Sequence, residues 1–80
     1  MENLQKFRAA VGAVLGLDPN EVTDDLSAEK VDTWDSLNHI NVVSALEQEF
    51  GVMLPTESMG AAQSVAALKH LLVQSGVALN

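Results

Sequence analysis

The chain has 80 residues, no cysteine, and eleven acidic against four basic side chains, a formal charge of −7. That length allows one small domain with a modest core, and without thiols there is neither a disulfide staple nor a thiolate metal site. Charge of that sign repels nucleic acid and anionic membranes and favours basic partners, and no apolar run approaches the roughly 20 residues of a membrane-spanning helix.

Leu4, Phe7, Val11, Val14 and Leu15 recur at steps of three and four and predict a first helix over about Glu2 to Leu15. Gly16 is placed to end it in a left-handed conformation. The start of the chain, Met1-Glu2-Asn3-Leu4-Gln5-Lys6, is polar and has no apolar signal-peptide core, so a soluble, cytoplasmic protein is expected.

A long connection follows, Leu17 to Trp34. Asp18-Pro19 predicts a turn or a single helical turn with proline at its first position. Val22, Leu26 and Val31 are spaced too irregularly for a helix face and read as pins that fasten the loop to the core. Asp18, Glu21, Asp24, Asp25, Glu29 and Asp32 make the loop strongly acidic. A solvated loop accounts for that run at least as well as cation binding does, and no metal ligand set is assigned.

The second predicted helix runs from about Ser36 to Phe50 and ends at Gly51. Ile40, Val42, Val43, Leu46 and Phe50, extended by Leu37 and Ala45, give it a broad apolar side, which predicts a central place in a bundle. Asn38, Asn41, Ser44, Gln48 and Glu49 form the polar side, with Glu47 near the margin. His39 falls between Leu46 and Phe50 on the helical wheel. No cysteine or second histidine lies near it in sequence, so it reads as a half-buried residue packing under Trp34 in a hydrophobic staple rather than as a base or pH switch.

Beyond Gly51, Pro55 disfavours helix at Leu54, so Val52-Met53-Leu54 is extended. Thr56 to Met59 allows one short helical turn. The last helix starts at the N-cap Ser64 and runs to about Ser75, with Val65, Leu68, Leu71 and Leu72 on its apolar face and Gly76 after it. The expected core includes Phe7, Val11, Ile40, Leu46, Phe50 and Leu68.

Everything is organised around Trp34-Asp35-Ser36-Leu37. Asp35 and Ser36 stand where the acidic loop becomes the second helix, and both are good N-cap residues. A phosphate on the Ser36 hydroxyl would lie in the favourable field of the helix N-terminus. Asp-Ser-Leu opening an apolar helix, after a long loop and before a short third helix, resembles the acyl carrier protein family over nearly the whole chain. The resemblance implies an all-α fold, a small four-helix bundle of three main helices and a short third one, in a single domain over residues 1–80.

It further implies a carrier that is not itself an enzyme. A 4'-phosphopantetheine arm is attached to Ser36 by a phosphopantetheinyl transferase, with Asp35 and Leu37 completing the motif, and acyl groups ride on the arm as thioesters. In the family the aspartate before the serine also helps hold the transferase's magnesium ion. Partners would be the transferase and acyl-loading and acyl-processing enzymes, with Asn38, Asn41, Glu47 and Glu49 as partner-facing positions of a monomer. Trp34 and the uncharged Asn38 and Asn41 depart from the fatty-acid carrier and look more like discrete carriers of specialised pathways. Two other readings fit the composition: an unmodified acidic helical adaptor for a basic protein surface, and an aminoacyl or peptidyl carrier. The second is weakened by the absence of a Gly-rich lead-in to Trp34-Asp35-Ser36-Leu37.

Overall fold

A computed structural model describes residues 2–54, 60 and 62–79. It is all-helical. Helix α1 spans Glu2–Leu15, a single 3-10 turn spans Pro19–Glu21, α2 spans Ser36–Phe50 and α3 spans Val65–Gln74. No β-strand occurs among the described residues. One isolated antiparallel bridge pairs Ser27 with Ser64. The short third helix expected at Thr56 to Met59 lies outside the described residues.

Local signals account for most boundaries. Asp18 caps the 3-10 turn with a reciprocal capping box, its carboxylate accepting from Asn20 N–H while Glu21 accepts from Asp18 N–H. Asp35 caps α2 and Ser64 caps α3, each accepting from the N–H three residues on, Asn38 and Ala67. All three helices end alike. The N–H groups of Leu17, Val52 and Val77 reach back to the carbonyls of Gly12, Glu47 and Leu72, the six-to-one bond of a Schellman ending. Gly51, between α2 and Val52, has φ 64°, which a side-chain-bearing residue adopts only at a cost.

Phe7, Val11 and Leu15 of α1 pack against Val42, Val43 and Leu46 of α2 and against Val65, Leu68 and Leu72 of α3; all nine are 1 % exposed or less. Val22 is equally buried, and Leu26 and Val31 pack on the core as half-buried pins. Three further ties hold the loop. Ala28 N–H donates to Gln63 O and Val65 N–H to Leu26 O, both at 3.0 Å. Lys69 of α3 pairs with Asp24 and lies 6.0 Å over the Phe7 ring. Beyond the 3-10 turn the loop is therefore held to the helices by these side-chain and backbone ties.

The expected core needs one correction. Ile40 is 56 % exposed and Leu37 68 %, and Phe50 is only partly buried. At 100° per residue, His39, Val42, Val43, Leu46 and Phe50 share one arc of α2, while Leu37 and Ile40 fall outside it. The helix carries more apolar side chains than its buried arc can hold, and apolar identity alone does not fix burial.

Candidate functional site

The site is the corner where the loop enters α2. Asp35 is extended (φ −96°, ψ −176°) and its Oδ1 accepts from Asn38 N–H at 2.8 Å. Ser36 is the first helical residue and is exposed. Its hydroxyl makes no hydrogen bond to any described residue. An unengaged, accessible hydroxyl at a capped helix start fits a phosphodiester. The group would take no protein hydrogen bond away, and it would sit in the positive end of the helix dipole.

Behind Ser36 lie two aromatic rings. Trp34 is 4 % exposed and His39 7 %. Trp34 Nε1–H donates to His39 Nδ1 at 3.1 Å, with ring centroids 6.2 Å apart and 27° between planes. The expected staple is present, with His39 more deeply buried than half. Because His39 Nδ1 accepts, the proton of the neutral ring resides on Nε2. A cleft of about 320 Å³ opens beside the pair, lined by Ala28, Trp34, Asp35, Ser36, His39 and Gln63.

The other sequence-predicted residues divide. Leu37 and Asn41 are exposed, and so is Glu49 farther along α2. Asn38 and Glu47 are half-buried and bonded within the chain. Asn38 Nδ2–H donates to Thr33 O at 2.7 Å, and Asn41 Nδ2–H donates to Asn38 Oδ1 at 3.2 Å. Glu47 Oε2 accepts from Leu54 N–H at 2.8 Å. Thr33, which sequence reasoning passed over, closes the chain of bonds: its hydroxyl donates to Leu15 O at 2.8 Å. In the acidic loop, Asp25 is held below the ordinary carboxylate range by the hydroxyl of Thr23, its own backbone and Lys30. No group of three or more potential metal ligands is found among the described residues.

A small helical domain that presents an accessible serine at a capped helix start has the features of a carrier of a covalently attached group. The comparisons give that class its identity. The family described as "Phosphopantetheine attachment site" matches residues 5–72. An acyl carrier protein of Thermosynechococcus vestitus is 39 % identical over 56 residues, which cover 70 % of this chain and 69 % of that protein. The chain belongs to the phosphopantetheine attachment site family. It is an acyl carrier whose cofactor is a 4'-phosphopantetheine arm bound covalently through serine. It is not an enzyme, and it is served by a phosphopantetheinyl transferase and by acyl-processing enzymes. No helix among the described residues is long and apolar enough to cross a membrane.

Proposed function

We propose that Ser36 is the serine that bears the arm, that Asp35 and Leu37 complete the motif read by the transferase, and that the chain is one carrier domain over residues 1–80 with the four-helix arrangement of its family. The observation that carries this reading is the Ser36 hydroxyl: exposed, unengaged, and first in a helix capped by Asp35. Once attached, the arm supplies the thiol that this cysteine-free chain lacks. The chain's own residues hold the attachment corner and leave the arm accessible.

The partner-facing surface in this reading is the outer side of α2. Asn41 and Glu49 are exposed there, and Leu37 and Ile40 add apolar area beside Ser36. The acidic charge near the arm comes from the loop, at Asp32 and Asp35. A carrier with an uncharged first two turns of α2 suits a dedicated enzyme of a specialised pathway better than enzymes that recognise an acidic helix. The protein works as a cytoplasmic monomer.

The test is intact mass after incubation with coenzyme A and a broadly acting phosphopantetheinyl transferase. The wild type gains one arm, mapped to the peptide containing Ser36. Ser36→Ala gains none and keeps its melting curve. A wild type that gains no mass, or gains it elsewhere, sinks the assignment.

A further inference from the structure

Three bonds meet on Asn38, two residues beyond the attachment serine. Its backbone N–H goes to Asp35 Oδ1 at 2.8 Å, its Nδ2–H to Thr33 O at 2.7 Å, and its Oδ1 accepts from Asn41 at 3.2 Å. The first two span the corner from both sides, one gripping the residue before Ser36 and the other the loop three residues before it. Thr33 is itself fixed to the end of α1 through Leu15 O at 2.8 Å. Trp34 N–H, between Thr33 and Asp35, donates to Val31 O at 3.0 Å. The backbone on both sides of Ser36 is thus tied to α1, to the loop and to the second turn of α2, while the Ser36 side chain has no tie of its own.

We propose that Asn38 is a positioning residue for arm transfer: it locks the Thr33–Ser36 corner so that the Ser36 hydroxyl is presented in one geometry, and it is thereby withdrawn from recognition by partners. This rests on Ser36 being the attachment serine. The chemistry explains why an amide is needed. Only a side chain with both a donor and an acceptor can satisfy Thr33 O and Asn41 Nδ2–H together. A carboxylate of the same shape keeps the acceptor, loses the donor and sets negative charge against a carbonyl oxygen. A loosened corner costs the transferase more in the reacting complex than in first binding, because the hydroxyl must be aligned for phosphoryl transfer.

Asn38→Asp is the informative substitution, since its backbone N–H still meets the Asp35 cap. Steady-state arm transfer from coenzyme A is measured with one transferase at one ionic strength. We expect kcat to fall about tenfold, with KM for the carrier changed less than about threefold. In the same variant, hydrogen exchange at Trp34 N–H quickens while amides of the α1 and α3 interiors keep their protection. Asn41→Ser, which removes only the outer bond, leaves the Trp34 exchange near wild type. Prolonged incubation still brings both variants to one arm per chain, which separates this proposal from the identity of the attachment site. A raised KM with unchanged kcat would mean that the transferase reads Asn38 directly, and the positioning role would be wrong. Unchanged Trp34 exchange in Asn38→Asp would overturn it equally.

Discussion

Trp34→Phe tests the buried pair behind Ser36. The phenyl ring keeps much of the apolar contact, but the donor to His39 Nδ1 is lost. At 7 % exposure His39 gains little from water, so losing that bond costs about 1–3 kcal/mol. Lost ring volume adds about 1 kcal/mol. The sum, about 2–4 kcal/mol, is a large share of the roughly 4–12 kcal/mol expected for 80 residues. It corresponds to a fall in Tm of about 8 °C or more. His39→Phe has the mirror effect, since it strands the Trp34 N–H. The double variant removes both polar groups at once, and its loss should be smaller than the sum of the two single losses by at least ~0.5 kcal/mol. Thermal and urea unfolding followed by circular dichroism give all three values. Single losses that simply add would mean that the hydrogen bond contributes nothing beyond packing, and the reasoning would fall.

Gly12→Ala should destabilise by about 1–3 kcal/mol, although alanine is the better helix former by about 1 kcal/mol. A methyl there would stand 2.5 Å from the Leu17 carbonyl oxygen, so a stabilised variant would contradict the close approach. Leu46→Ala, at a fully buried site, should cost about 2–5 kcal/mol in urea unfolding, while Phe50→Ala, only partly buried, should fall below the ~3–5 kcal/mol of a fully buried phenylalanine; the reverse order would contradict the register of α2. Asp25 titrates below its ordinary value in the folded state, so its contribution to stability is present above the unfolded value near 3.8 and is lost as pH falls through the folded one. Thr23→Val should move the Asp25 titration, followed by carboxyl NMR, upward; an unmoved titration would remove the Thr23 hydroxyl as its cause.

Much of this fold was legible because its signals are local. Apolar steps of three and four located α1, α2 and α3, and the residues that cap them, Asp35 and Ser64 at the starts and glycines at the ends, are chemically unambiguous. The helix start at which Ser36 stands was legible for the same reason: the flanking pattern fixes that boundary. Three things were not. Gly12 leaves no signal in the helical spacing, and the approach of Leu17 from beyond the helix end explains it. Thr33 and Asn38 read as loop and polar-face residues, because a side-chain bond to a backbone carbonyl leaves no periodic trace. Lys69 joins Asp24 across the fold, a pairing the spacing of residues does not announce. Each of these depends on which segments meet in space, and hydrophobic spacing does not carry that information.

Ile40 is where the sequence pattern misleads, and the error bears on function. A core isoleucine cut to alanine loses about 2–5 kcal/mol, but this one is 56 % exposed. Ile40→Ala should therefore cost less than about 1 kcal/mol and barely move the melting curve. Its side chain lies one turn beyond Ser36, next to Leu37, on a stretch of α2 whose exposed residues, Leu37, Ile40, Asn41 and Ser44, carry no charge. An apolar residue kept in water beside Ser36 has a reason to be there if enzymes cover it when they act on the arm. Arm transfer to Ile40→Ala should then show a KM for the carrier raised about tenfold, equivalent to about 1.4 kcal/mol of binding. Ile40→Glu distinguishes the nature of the facing surface. An apolar partner surface makes its KM worse still, because a carboxylate must be desolvated, whereas a basic one makes it better than wild type. A KM unchanged in both variants would show that this side of α2 is not covered during arm transfer. A melting temperature lowered by 10 °C or more in Ile40→Ala would instead return Ile40 to the core.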